Sequence, residues 1–350
     1  MIRVLIVDDS AFMRRAIKNM LESDPEIKVI DTARDGLEGI EKVEKLDPDV
    51  VTLDVEMPRM DGLEALKYIM ERHPVPVIMV SSLTEEGAEP TLKALELGAV
   101  DFIPKALGNV SINIMKIRDD LIKKVKEVAK RKDVVKKISA RPIVKKVEPL
   151  KVKSRGPAVA SKVMIVAIGV STGGPRSLQQ VLPLLPQDFP VPILIVQHMP
   201  KAFVPTFASR LDSICKLKVK VAESGEVVKK GIIYIAPGGI HMQVKKKSSI
   251  EVIIRLSDIN YPTLFKPSVD VMMLSVAEVY PGRCLGVIMT GMGNDGCKGM
   301  IAIKKSGGKT IAQDESTSVV FGMPKAAIEA GVVDKVVPLQ ELAGEIVNMV

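Results

Sequence analysis

Short apolar runs alternate with amphipathic segments along the first third of the chain. The runs are RVLIV, KVID, VVTLD, VPVIMV and VDFIP, and each is expected to form a strand. Between them, residues 11–21 and 63–70 carry apolar side chains at helical spacing. Such alternation is typical of a doubly wound α/β fold. We therefore predict five βα units, the last helix running from about Asn109 to Lys130.

The pattern lapses after this helix and then begins again. The stretch KRKDVVKKISARPIVKKVEPLKVKSRGP has weak periodicity and ends in Gly156-Pro157, as a linker does. The runs that follow are KVMIVAIGV, VPILIVQHM, GIIYIAPGG, the more alternating SIEVIIRLS, RCLGVIMTG and GKTIAQD. Continuous apolar runs indicate strands of a parallel sheet buried on both faces. The sequence thus predicts an α/β domain over residues 1–122, a basic helix end and linker over 123–160, and a second, Rossmann-like α/β domain over 161–350.

The composition limits the class of protein. With 350 residues and 47% hydrophobic residues, the chain can fill two cores. Its apolar runs are shorter than the ~18 residues that span a bilayer, and MIRVLIVDDS lacks the pattern of an export signal. Cys215, Cys284 and Cys297 are odd in number and lack a CxxC spacing, so neither a disulfide framework nor a zinc site is indicated. We expect a cytoplasmic protein.

The net charge of +8 is unevenly distributed. Residues 1–122 carry 15 basic and 24 acidic residues, residues 123–160 carry 14 and 3, and residues 161–350 carry 21 and 15. A basic stripe can bind nucleic acid. This stripe has few aromatic residues and connects two halves that each show the strand-helix alternation. A solvated linker is therefore the preferred interpretation, and no nucleic-acid partner is expected. The opposite charges of the two domains, −9 and +6, favour docking in cis.

Charged and polar residues follow the strands of the first domain. They are Asp8 and Asp9, then Asp54, Ser81 and Lys105. Because the carboxyl ends of parallel strands share one edge, these side chains should converge. Clustered carboxylates repel one another unless a cation lies among them, and oxygen ligands suit Mg²⁺. One carboxylate could then attack a phosphoryl group while the lysine stabilises the added charge. Taken alone, each aspartate is more simply a solvent-facing turn residue and Lys105 a surface charge, but the occurrence of the whole set at strand ends disfavours that interpretation.

The segments VLIVDDS, VTLDVEMPRMDGLEAL, VIMVSS and GAVDFIPK resemble a response-regulator receiver domain over residues 1 to about 122. The resemblance implies a flavodoxin-like fold, phosphorylation of Asp54 by a histidine kinase, and Mg²⁺ as the cofactor of that step. The metal ligands it implies are Asp8, Asp9, Asp54 and the backbone carbonyl of Glu56, and the switch residues are Ser81, Phe102 and Lys105. The family usually has proline after the lysine, whereas here the order is Pro104-Lys105-Ala106.

The same reasoning about strand ends predicts a nucleophilic site in the second domain. Ser171 follows VMIVAI, His198 follows ILIVQ, and Asp295 lies in TGMGNDG just beyond LGVIM. A serine nucleophile, a histidine base and an orienting acid form a triad of this kind. Residues 169–173 also fit G-x-S-x-G, in which glycines permit a tight turn that exposes the hydroxyl. Pro175 suits the first turn of the helix that follows.

Other interpretations of these residues fit the sequence less well. A dinucleotide-binding turn would need G-x-G-x-x-G, and the second glycine is replaced by Ser171. An α/β-hydrolase has the chain order serine, acid, histidine, whereas this chain has serine, histidine, acid. His241 in APGGIHM is a rival base and Asp270 in KPSVD a rival acid, although substrate positioning or a structural hydrogen bond explains either more simply.

The segments AIGVSTGGP, VQHMP, IAPGG, PSVD, TGMGNDG and IAQDESTSVVFGMP resemble the catalytic domain of the chemotaxis protein-glutamate methylesterase (CheB) family over residues 161–350. The resemblance implies hydrolysis of glutamate γ-methyl esters on bacterial chemoreceptors with release of methanol, and deamidation of receptor glutamines, without a cofactor. It implies the triad Ser171, His198 and Asp295, with the Met292 backbone amide in the oxyanion hole. The family often has His-Arg before PSVD, whereas this chain has Phe265-Lys266, and lysine cannot make the bidentate contact of arginine.

The two halves together predict a serine esterase that phosphorylation activates by weakening receiver docking. Its expected partners are membrane-bound chemoreceptors, with which it associates peripherally, and a histidine kinase. Two alternatives are a receptor-docking response regulator without catalysis and a transcriptional response regulator. The second half lacks a helix-turn-helix pattern, which disfavours the transcriptional regulator.

Overall fold

The structure, a computed structural model, describes residues 1–81, 84–105, 111–139 and 163–350. The chain forms two compact units, residues 1–142 and 143–350. Each unit is built on a parallel β-sheet, as the pattern of apolar runs predicts. The doubly wound α/β class is therefore confirmed for both halves.

The first unit has a five-stranded parallel sheet in the order β2-β1-β3-β4-β5, which is the flavodoxin-like order. Every residue of β3 and β4 is buried, which agrees with their largely apolar sequences. The strands are β1 (Ile2–Val7), β2 (Ile27–Ala33), β3 (Val50–Asp54), β4 (Val77–Ser81) and β5 (Asp101–Pro104).

Helices connect these strands and begin at conventional capping residues. The side chains of Ser10, Asp35 and Asp61 accept hydrogen bonds from backbone N–H groups in the first turns of the helices they precede. The helices are α1 (Ala11–Leu21), α2 (Gly36–Leu46), α3 (Gly62–Arg72), α4 (Glu85–Leu97), α5 (Ser111–Ala129) and α6 (Lys132–Ser139). Helix α6 was not expected, because it lies in the stretch interpreted as linker.

The second unit has a seven-stranded parallel sheet in the order β14-β13-β12-β6-β7-β9-β8. A separate antiparallel hairpin, β10-β11, contains the run with the more alternating pattern. The strands are β6 (Ile165–Val170), β7 (Ile193–Gln197), β8 (Lys218–Val221), β9 (Ile232–Ile235), β10 (His241–Lys246), β11 (Val252–Ser257), β12 (Cys284–Ile288), β13 (Lys309–Gln313) and β14 (Lys335–Val337).

The α-helices of this unit pack around the large sheet. They are α7 (Gly174–Val181), α8 (Val204–Ile214), α9 (Val269–Val279), α10 (Cys297–Lys305), α11 (Met323–Glu329) and α12 (Leu339–Met349). Helix α9 carries a nearly continuous buried surface, and its residues belong to one core cluster with those of β6, β7 and β12. The central strands of the sheet are thus fixed by the same core that holds α9.

Strand β6 lies between β7 and β12 and marks the point where the order of strands reverses. From β6 the chain continues to β7 on one side, and it returns later to β12 on the other side. In open α/β sheets, ligand sites form outside the carboxyl ends of the strands at such a reversal. The residues after β6, β7 and β12 therefore occupy the position where a functional site is expected.

Replacement of Ile195 by alanine tests the core of this sheet. Ile195 of β7 is fully buried, so removing its methyl and methylene groups leaves a cavity and should lower the free energy of unfolding by about 2 to 5 kcal/mol. The matched control is Ile250→Ala in the β10-β11 turn, where the side chain is 91% exposed and the cost should stay within about 0.5 kcal/mol. Urea denaturation of the whole chain measures both. Equal losses in the two variants would contradict the assigned core.

Candidate active site and acidic site

Ser171 lies in the tight turn that connects β6 to α7. Its backbone N–H donates to the carbonyl of Thr290 at 3.0 Å, and its own carbonyl accepts from Gly174 N–H at 2.8 Å. Gly173 has φ of +77°, a left-handed conformation that favours glycine, and a Cβ there would come within 2.7 Å of Val319. The glycines of the G-x-S-x-G segment thus permit the turn that brings Ser171 beyond the strand.

His198 follows β7 and binds the carboxylate of Asp295. The His198 Nε2 atom lies 2.8 Å from Asp295 Oδ2, and the two side chains are only 8% and 4% exposed. The backbone N–H of His198 donates to the carbonyl of Val170 at 3.2 Å, which ties this residue to the strand that precedes Ser171. His198 Nδ1 is buried and has no hydrogen-bond partner within the described residues. Nδ1 is therefore the ring nitrogen left to act on a substrate or a nucleophile.

Asp295 accepts four hydrogen bonds, three of them from the start of α9. Its oxygens accept from Ser268 Oγ at 2.8 Å, Val269 N–H at 2.7 Å and Asp270 N–H at 3.1 Å, in addition to His198. Burial by itself raises the pKa of Asp295. The hydrogen bond and charge of His198, together with these backbone N–H groups, more than offset that effect and hold the pKa below its ordinary value. The carboxylate is thus kept ionised beside the imidazole.

The loop after β12 approaches the serine turn closely. A Cβ on Gly291 would lie 2.8 Å from Ser171 Cβ and 2.3 Å from Met323 Sδ, so only glycine fits there. Next to it, the Met292 amide donates no hydrogen bond to any of the described residues. The structure therefore places Ser171, Met292 and the His198-Asp295 pair at one edge of the sheet. Ser171 and Nδ1 of His198 are not hydrogen-bonded, and such contacts often tighten only when substrate binds.

The rival residues His241 and Asp270 have structural partners instead. His241 Nδ1 accepts from Ser268 N–H at 3.2 Å, and burial, followed by the charge of Lys266, lowers the pKa of this fully buried histidine. Asp270 Oδ1 accepts from Gly299 N–H at 2.8 Å in the first turn of α10, and burial raises the pKa of its carboxyl. Neither side chain is bonded to His198.

Two features of the site are not among the residues that the sequence predicts for it. The ring of Phe265 stacks on His198 with centroids 4.1 Å apart and planes inclined by 6°. Ser268 caps α9, its Oγ 3.4 Å from Val271 N, and also donates to Asp295. The serine before an apolar helix was a readable capping signal, whereas nothing in the sequence indicates which ring Phe265 meets.

The acidic cluster of the first unit forms as predicted from the strand ends. Asp8, Asp9 and Asp54 have carboxylate oxygens within 4.8 Å of one another. Lys105 Nζ lies 2.6 Å from Asp54 Oδ2 and 3.8 Å from Asp8 Oδ2. Asp8 Oδ2 and Asp54 Oδ1 are buried and accept no hydrogen bond from the described residues. An oxygen-rich cluster with unpaired buried acceptors fits a hard divalent cation.

Burial dominates the electrostatics of this cluster. It raises the pKa of Asp8 to about 6, with the neighbouring charge of Asp54 as the second cause. Burial also raises the pKa of Asp54, against the opposing hydrogen bond and charge of Lys105. Burial alone would lower the pKa of Lys105, but the hydrogen bond and charge of Asp54 raise it above its ordinary value. Lys105 therefore partly compensates a site that carries excess negative charge.

The remaining sequence-predicted residues lie around this cluster. Ser81 Oγ is 2.6 Å from Thr91 Oγ1, Phe102 is buried, and Glu56 is exposed just after β3. Lys105 N–H donates to the carbonyl of Ser81 at 2.7 Å, which links the residues that end β4 and follow β5. Ala106, the departure from the family pattern, lies outside the described residues. Within the described ranges no helix is long and apolar enough to cross a lipid bilayer.

A receiver-like unit followed by a parallel-sheet unit with a buried His-Asp pair is the organisation of a response regulator with an enzymatic output domain. The family model for the response regulator receiver domain matches residues 4–115, and the model for CheB methylesterase matches residues 166–346. The chain belongs to the CheB methylesterase family.

Relatives and a solved structure agree with this assignment. A Pyrococcus horikoshii protein named protein-glutamate methylesterase/protein-glutamine glutaminase is 51% identical over 349 residues, covering 100% of this chain and 94% of the relative. A Nitratidesulfovibrio vulgaris protein of the same name, numbered 2, is 52% identical over 365 residues, covering 99% of each. The crystal structure of the Thermotoga maritima CheB methylesterase catalytic domain is 46% identical, with a TM-score of 0.53, and covers 54% of this chain and 99% of that one.

The stability of the second unit should depend on pH through Asp295. Because its folded pKa is lowered from 3.8, the ionised carboxylate stabilises the fold above that value, and the contribution is lost as the pH falls through the folded pKa. We expect the free energy of unfolding to fall more steeply below about pH 4 in the wild type than in Asp295→Asn, which cannot titrate there. Urea denaturation between pH 2.5 and 6 measures the difference, and parallel curves would contradict it.

Proposed function

We propose that this protein is a phosphorylation-activated serine hydrolase that demethylates glutamate γ-methyl esters on bacterial chemoreceptors. The observation that carries the proposal is the buried His198-Asp295 pair, held by the start of α9 at the same sheet edge as Ser171. The names of the homologous proteins support the substrate class. By the same relationship, deamidation of receptor glutamines is a second activity of this site.

The proposed chemistry uses Ser171 as the nucleophile and Nδ1 of His198 as the base. Ser171 Oγ attacks the ester carbonyl as His198 takes its proton, and the proton passes to the leaving methoxy group, which departs as methanol. A water molecule then loses a proton to His198 and attacks the acyl-enzyme, which releases the glutamate carboxylate and restores Ser171. Asp295 accepts from Nε2, so the neutral ring carries its proton there and presents a lone pair on Nδ1.

The Met292 amide is proposed to donate to the oxyanion that forms on the substrate carbonyl. Support comes from its place beside Gly291, whose Cα closely approaches Ser171, and from the lack of an acceptor for this amide within the described residues. A donor preorganised in this way contributes about 3 to 4 kcal/mol to transition-state stabilisation. No cofactor is proposed for the ester hydrolysis.

The first unit is proposed to control this site through phosphorylation of Asp54 by a histidine kinase. Asp8, Asp9, Asp54 and the backbone carbonyl of Glu56 would hold Mg²⁺, which neutralises charge at the acyl phosphate. The unpaired buried oxygens of Asp8 and Asp54 support this ligand set. Lys105 stabilises the added negative charge, and Ser81 and Phe102 act as the switch residues. The opposite net charges of the two halves support inhibition by docking in the unphosphorylated state.

The proposed organisation is a receiver over residues 1–122, a basic helix end and linker over 123–160, and a catalytic domain over 161–350. The ranges that the family models match, 4–115 and 166–346, support this division. The proposed location of the protein is the cytoplasm. There it would bind the cytoplasmic regions of membrane chemoreceptors and the chemotaxis kinase.

Replacement of Ser171 by alanine tests the nucleophile. Methanol release from methylated chemoreceptor membranes should fall by a factor on the order of 10⁶, because the other residues of a triad act only through the nucleophile. The control is Ser213→Ala, a change at an exposed serine on α8 whose hydroxyl bonds only locally to Arg210 O. Substantial release by Ser171→Ala would disprove the assigned nucleophile, and no release by phosphorylated wild type would favour a docking module without catalysis.

Replacement of Asp54 by asparagine tests the regulation. In the presence of Mg²⁺, a small-molecule phosphodonor should increase methanol release by the wild type and have no effect on Asp54→Asn, which lacks the phosphoacceptor oxygen. Basal release should be the same in both proteins. Asp119→Asn on α5 is the control, because Asp119 is exposed and its ion-pair partner among the described side chains is its neighbour Arg118. Stimulation that persists in Asp54→Asn would show that another residue accepts the phosphoryl group.

A further inference from the structure

The aromatic ring of Phe265 covers one face of the His198 imidazole. The two ring centroids are 4.1 Å apart and the planes are inclined by only 6°. Phe265 is half-buried and lies outside every helix and strand, and it is not a member of the core cluster that surrounds α9. Its ring stacks on the proposed catalytic base, outside the core cluster that holds α9.

The backbone around Phe265 is fixed at several points. Phe265 N–H donates to Thr263 Oγ1 at 3.2 Å, and the carbonyl of Lys266 accepts from Gly239 N–H at 3.0 Å. The Lys266 ammonium forms an ion pair with Asp258. These contacts hold the segment that carries Phe265 in one conformation, so the ring has a defined position over His198.

The same short segment also fixes the other partner of the imidazole. Three residues beyond Phe265 lies Ser268, the N-cap of α9, and Ser268, Val269 and Asp270 donate to the carboxylate of Asp295. Residues 265–270 thus position His198 in two ways. The phenyl ring of Phe265 stacks on the imidazole, and residues 268–270 hold Asp295, which is hydrogen-bonded to it. A stacked ring restricts tilting of the imidazole out of its plane, and the Asp295 bond restricts its rotation.

We infer that Phe265 is a positioning residue for His198, an inference that rests on the proposed esterase function. Its ring keeps the imidazole in the plane in which Nε2 meets Asp295 and Nδ1 is left for the serine proton. The charge that develops on the imidazole when it takes this proton is also favoured over an aromatic face. Because this charge exists only after proton transfer begins, the contact is stronger in the transition state than in the ground state.

Phe265→Ala should therefore lower kcat and leave KM nearly unchanged. A stacked aromatic pair contributes enough for a decrease in kcat of about threefold to tenfold. Phe265→Tyr keeps the ring and should restore kcat. The matched control is Leu264→Ala, which removes a side chain from the adjacent position that is 88% exposed, and it should leave kcat unchanged.

A second readout does not depend on esterase activity. The chain has three histidines, so their ring signals can be resolved by NMR after ¹⁵N labelling of histidine and assigned with His198→Gln. In Phe265→Ala, the His198 ring protons should lose the upfield shift caused by the phenyl face. In the wild type, the ¹⁵N chemical shifts of the His198 ring should be those of the tautomer protonated at Nε2. In Phe265→Ala, they should move towards the average of the two tautomers. Leu264→Ala should leave these signals unchanged.

The two readouts separate the inference from the proposed function. Equal kcat values for Phe265→Ala and Leu264→Ala, no rescue by Phe265→Tyr, or unchanged His198 signals in Phe265→Ala would each overturn the positioning role. An increase in KM without a decrease in kcat would also overturn it, because it would make Phe265 a substrate contact. If the wild type releases no methanol, the esterase proposal fails and the NMR comparison alone decides whether Phe265 orients His198.

Discussion

The hydrogen bond between His198 Nε2 and Asp295 Oδ2 is the interaction on which the rest of the site in the second unit depends. Both side chains are almost completely buried. A buried carboxylate is stable only when several hydrogen-bond donors surround it. The start of α9 supplies these donors from two backbone N–H groups and Ser268 Oγ, and the positive end of the helix dipole adds to the effect. The placement of α9 against the sheet is thus a requirement of the site as well as of the core.

Much of this arrangement could be predicted from the sequence. Continuous apolar runs identified the central strands, and the rule that parallel strands end at one edge brought Ser171, His198 and Asp295 together. The same rule assembled Asp8, Asp54 and Lys105. It works because it depends only on strand order and direction, which the alternating pattern largely determines.

Other features lacked a sequence signal for physical reasons. Strand β14 has only three residues and β10 carries polar side chains, so neither forms a distinct apolar run. Helix α6 is short and highly charged, and it resembles a solvated linker in composition. Tertiary contacts between loops determine which ring nitrogen of His198 bonds Asp295. They also determine that the ring of Phe265 stacks on the imidazole. No periodicity records such contacts.

The position of β6 between β7 and β12 has a consequence for synthesis of the protein. Ser171 is anchored to Thr290, and Thr172 to the same residue across 118 positions of the chain. A ribosome therefore makes residues 171–174 long before it makes β12 and Thr290, to which the turn is bonded. Contacts so distant in the chain cost more loop-closure entropy and slow folding. The arrangement of Ser171, His198 and Asp295 at one edge of the sheet therefore exists only after the segment that contains β12 and Asp295 has been made and has joined β6.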